Sequence, residues 1–124
     1  MEHINLIAGW TSILAGFIAG AAIGLFFYKE NWLGGYSDWQ RRMTRLGHIS
    51  FFGIGIINVA YALSAPRIVT APFESIISTL LLIGLVSMPL VCFLSAYKMF
   101  FRHLFPIPVI SLIVGIGLFI YKGL

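Results

Sequence analysis

Four long runs without a formal charge at neutral pH occupy most of this chain, and the charged residues are crowded between them. The runs are Ile4–Tyr28, Leu46–Pro66, Ser75–Tyr97 and Leu104–Tyr121, of 25, 21, 23 and 18 residues. About 20 apolar residues cross the hydrocarbon core of a bilayer as a helix. In lipid every backbone N–H and C=O needs an internal partner, which a helix provides within one segment. The expected fold is therefore all-α and integral to the membrane. It is an up-down-up-down bundle of four transmembrane helices in a single domain over residues 1–124.

Little chain is left over for anything else. The mean hydropathy of +0.98 lies outside the range of an ordinary soluble domain. A net charge of +4 would point to nucleic acid in a soluble protein. Here the basic residues sit where membrane orientation places them, so no nucleic-acid partner is expected. Lys29, Arg41, Arg42 and Arg45 lie between the first two runs, and Lys98 and Arg102 between the last two. Only Arg67 and Lys122 lie at the opposite side. That bias predicts cytoplasmic basic loops and both termini on the other side, in a bacterial inner membrane or an equivalent one. Met1-Glu2-His3 lacks the basic start of a signal peptide, so the first run reads as a retained span.

Ser12, Gly16, Gly20 and Gly24 recur every four residues on one face of the first helix. Small residues at that spacing let another backbone approach closely in lipid. The sequence leaves open whether the partner is another helix of this chain, another subunit or a second copy.

In the first basic loop, Gly34-Gly35 breaks the helix. Ser37 and Gln40 have the spacing of a capping box, which starts the second helix near Asp38. Trp32, Tyr36 and Trp39 form an interfacial aromatic belt. Arg41, Arg42 and Arg45 beside them are expected to meet lipid headgroups. Pro89 falls inside the third helix, where it removes a backbone donor. That helix is expected to run on to Arg102 or His103, and Phe105–Pro108 to form a tight reversal.

The second helix is the most informative. At 100° per residue, Thr44, Gly47, His48, Phe51, Gly55, Asn58 and Ala62 share one arc, which should look into the bundle. A buried Asn58 is expected to bond across helices. Ser75, Ser78 and Thr79 can bond back to their own helix or line a vestibule. Cys92, the only cysteine, is expected to pack as a small hydrophobe.

His48 and His103 stand near the basic ends of the second and third spans. Facing histidines in a bundle can ligate haem iron axially, which makes haem b the candidate cofactor and these two residues its candidate binding site. No carboxylate lies in mid-span, which weighs against ion coupling, and no acid–base or nucleophilic set is present.

The function expected from the sequence is a non-catalytic accessory subunit of a larger membrane complex, with an electron-transfer complex as one host. Its partners would be the bilayer and other integral membrane subunits, or further copies of itself. The alternatives are a haem-binding redox subunit and a small transporter or channel along the polar face containing Asn58.

Overall fold

The computed structural model describes residues 2–124. It contains α1 (Glu2–Gly24), α2 (Trp39–Ile68), α3 (Phe73–Tyr97) and α4 (Pro106–Gly123), and no strand among the described residues. Each of the four is long and apolar enough to cross a membrane.

The helix ends follow local chemistry. α1 stops at Gly24, and residues 25–28 continue as turns. Gly34 and Gly35 take φ of 83° and 101°, a region open to glycine because it has no Cβ. Asp38, rather than Ser37, caps α2: its carboxylate accepts from the Gln40 backbone N–H at 3.3 Å. α2 runs through Pro66 to Ile68. Pro66 lies in the last turn, where its missing N–H forgoes one intrahelical bond, to the Ala62 carbonyl.

α3 ends at Tyr97, short of the expected Arg102 or His103. A 3₁₀ segment, Met99–Leu104, takes over after Lys98 adopts extended dihedrals. Pro106 and Pro108 then open α4, where a missing N–H costs little.

The helices pack in chain order. α1 lies on α2, α2 on α3, and α3 on α4. α1 touches α3 and α2 touches α4 only lightly, while α1 and α4 make no contact among the described residues. The array is thus an open row rather than a closed ring. Neighbours run antiparallel, as the contacts show. A Cβ on Gly9 would meet Gly55 and Val59, whereas one on Gly20 would meet His48. Gly84 faces Leu112, and Gly115 faces Leu80 and Leu81. All the basic loop residues therefore collect at one end of the row.

Most of the tightest apolar packing is toward the other end. Tyr61, Ala65, Val69, Ile77 and Leu81 form a buried cluster, covered by Ile57, Leu112, Ile116 and Phe119 of α2 and α4.

Candidate functional site

Polar groups are gathered where α1, α2 and α3 meet. Asn5, Asn58 and Ser78 come from three helices and are fully buried. The Asn5 amide donates to Oδ1 of Asn58 at 2.7 Å, and the Ser78 hydroxyl donates to Oδ1 of Asn5. The Asn58 amide donates to the carbonyl of Ile54 at 3.0 Å and reaches that of Leu81 at 3.4 Å. A buried amide left unpaired is costly, so each member holds the others in place. Asn58 is thus an interhelical bonder. Ser78 bonds to another helix, while Thr79 bonds back to Ser75 at 2.8 Å.

Asn5 is the member that sequence reasoning missed. It stands at the head of the first run, where a polar residue reads as a helix start. Its signal was phase: Asn5, Gly9, Ser12, Gly16 and Gly20 lie along one stripe.

That stripe faces α2. The Ser12 hydroxyl donates to the Phe51 carbonyl at 2.8 Å. A Cβ on Gly9 would lie 2.7 Å from the Gly55 carbonyl oxygen, and one on Gly16 would lie 2.9 Å from the Phe52 ring. The small-residue face of α1 is thus used within the chain. Gly24 is apart, with open space around it.

The arc expected on α2 is largely buried: Thr44, Gly47, Gly55, Asn58 and Ala62 are inside, with His48 and Phe51 half-buried. The arc divides between two neighbours. Gly47 faces Cys92 and Phe93 of α3, and Cys92 is buried there among apolar groups. His48, one residue round the helix, faces α1. Its Nε2 lies 2.6 Å from where a Gly20 Cβ would be, and its ring meets Phe52 edge-on at 5.4 Å between centroids.

His103 lies elsewhere. It is exposed on the 3₁₀ segment and contacts Phe100, 5.8 Å between ring centroids. The two imidazoles have separate surroundings, one in the α1–α2 seam and one at the surface. No group of three His, Cys, Asp or Glu gathers among the described residues.

The three loop arginines also part company. Arg41 is turned inward and is only 6% exposed. Its guanidinium donates to the carbonyls of Phe27, Lys29 and Glu30 at 3.0, 3.4 and 3.3 Å, and lies over the Phe27 ring at 4.8 Å. It ties the turns after α1 to the start of α2. Arg45 donates to the Tyr36 carbonyl at 2.9 Å and stacks on that ring at 3.8 Å. Arg42 is exposed over Trp39. Trp39 in turn donates to the Ser95 carbonyl at 2.8 Å, closing α2 onto α3 at the basic end.

Between α1 and α3 runs an apolar groove of about 730 Å³, with Phe51 of α2 among its lining residues. At one end of it Asn5 of α1 and Ser78 of α3 are in contact. Comparison with protein-family models, curated proteins and solved structures found no match.

Proposed function

We propose that the chain is a small accessory subunit of a larger integral membrane complex, its basic loops cytoplasmic and both termini on the opposite side. One observation carries this reading: the row of helices is open, and α1 and α4 do not meet. Each end helix packs strongly on a single neighbour. Gly117 of α4 and Gly53 of α2 are exposed and have nothing within 4 Å. In lipid, bare glycine positions on a helix surface favour close approach by another helix. The buried Asn5, Asn58 and Ser78 are spent on holding α1, α2 and α3 together, which fits a scaffold.

The test is extraction from the native membrane in a mild detergent, followed by mass measurement and identification of bound chains. A stoichiometric integral membrane partner is expected. A lone monomer, recovered under conditions that keep other complexes intact, would refute the proposal. The orientation is tested separately by labelling single cysteines placed at Ser37 and Leu124 in cells. Labelling of Ser37→Cys from outside would reverse it.

A further inference from the structure

Two residues that line the groove between α1 and α3 carry a polar group without a partner. Pro89 has no N–H, so the Leu85 carbonyl one turn before it receives no helical donor. No side chain among the described residues donates to that carbonyl either. Leu85 and Pro89 both line the groove, and Thr11 lines it from α1. The hydroxyls of Ser64, Thr79 and Ser87 donate to carbonyls of their own helices at 2.8, 2.8 and 2.5 Å. Thr11 is exposed, and its hydroxyl makes no hydrogen bond among the described residues.

The free donor and the free acceptor belong to one level of the row. α1 and α3 run parallel, and Asn5 meets Ser78. Seven residues further along each helix come Ser12, beside Thr11, and Leu85. Ser12 itself is committed to the Phe51 carbonyl. That level is deep in the bundle. Thr11 lies about 12 Å beyond His3, where a span of 22 residues begins. Leu85 is the middle residue of α3.

We propose that the groove seats a transmembrane helix of the partner subunit, which presents one carboxamide or hydroxyl side chain to Thr11 and Leu85. Such a group accepts from the Thr11 hydroxyl and donates to the Leu85 carbonyl. Depth and hydrogen-bonding complementarity select this occupant. The hydrocarbon core holds no water to satisfy either group. The polar parts of a lipid lie at headgroup level, about 15 Å from the middle of the core. A helix, by contrast, can carry a polar side chain at any depth, and such side chains bond across helices. A second copy of this chain is a poor source. Its Ser64, Thr79 and Ser87 already give their protons to their own helices, and Thr11 belongs to the wall being filled. Ala8 and Ala15 on the α1 wall leave room for close approach. The inference rests on the subunit reading above and names the face through which that subunit is held.

The experiment uses the complex recovered from the native membrane in mild detergent. A diazirine-bearing residue in place of Ala15 should cross-link to the middle of one transmembrane helix of the partner, and peptide mass spectrometry should find Ser, Thr, Asn or Gln there. Thr11→Val removes the free donor, and Pro89→Ala supplies the N–H that the Leu85 carbonyl lacks. Each should weaken partner retention about three- to twentyfold, whereas Thr11→Ser should preserve it. Circular dichroism confirms that each variant is folded, and the Thr11 pair tests the site if Pro89→Ala is not. Unchanged retention in folded Thr11→Val would overturn the inference while leaving the subunit reading intact. So would a cross-link from position 15 to a second copy, to lipid alone, or to a helix segment without such a side chain. Recovery of the unmodified chain as a lone monomer would instead refute the subunit reading, and this inference with it.

Discussion

Asn5 and Asn58 are joined by a 2.7 Å hydrogen bond across 53 residues of sequence, with no exposed surface on either side chain. The bond links α1 to α2, and the Ser78 hydroxyl on Asn5 extends it to α3. Asn58→Leu should therefore destabilise the protein by about 1–3 kcal/mol, because it leaves the Asn5 amide without that acceptor. A double-mutant cycle with Asn5→Leu isolates the pair. Such cycles in membrane proteins average about 0.6 kcal/mol and reach about 1.7. Strict additivity in a detergent unfolding titration would show that the bond contributes no coupling.

Glycine positions that look alike in sequence should respond differently to alanine. At Gly9 the new methyl would lie 2.7 Å from the Gly55 carbonyl oxygen, which is backbone and cannot swing away. Gly9→Ala should cost about 1–3 kcal/mol through overpacking. Gly117→Ala meets open space and removes a flexible residue from a helix, so it should be neutral or stabilise by up to about 1 kcal/mol. Thermal melting of the purified chain separates the two. Equal effects would mean that the α1–α2 seam is looser than described.

Neighbouring arginines should diverge in the same way. Arg41→Met removes a guanidinium that bonds three loop carbonyls. The expected loss is about 2 kcal/mol, given that hydrogen bonds to charged groups contribute about 1.5–3. Limited proteolysis should then cut residues 25–38 faster. Arg42→Met, on an exposed side chain, should change stability by about 0.5 kcal/mol or less. Similar cleavage in both variants would remove Arg41 from its role as a tie.

The separate surroundings of His48 and His103 bear on the haem alternative. Oxidised and reduced absorption spectra of protein from the native membrane should show no Soret band that depends on both residues. A stoichiometric band lost in His48→Ala and again in His103→Ala would restore bis-histidine ligation.

The helices themselves were legible because lipid leaves so few options for the backbone. The inward face of α2 was legible too, since Thr44, Gly47, Gly55 and Asn58 recur at helical phase. Periodicity could not tell which neighbour each residue meets, and Gly47 and His48, adjacent in sequence, turn to different helices. Nor could it separate Arg41 from Arg42, because that depends on where the carbonyls of Phe27, Lys29 and Glu30 fall. Asp38 displaced Ser37 as the cap because both residues can serve, and only the backbone path after Gly35 chooses. The open row was out of reach for a similar reason. A burial stripe shows that a helix has a neighbour, without saying whether the first and last helices close a ring.

That open row has a consequence for how the chain is made. Each helix finds its principal partner in the segment synthesised just before it, so pairing can follow the order of emergence from the ribosome. The most distant ties of the Asn5 cluster reach only as far as Ser78 and the Leu81 carbonyl. A chain truncated after Leu104 should already possess its interhelical polar bonds, leaving α4 to arrive last as a removable cover.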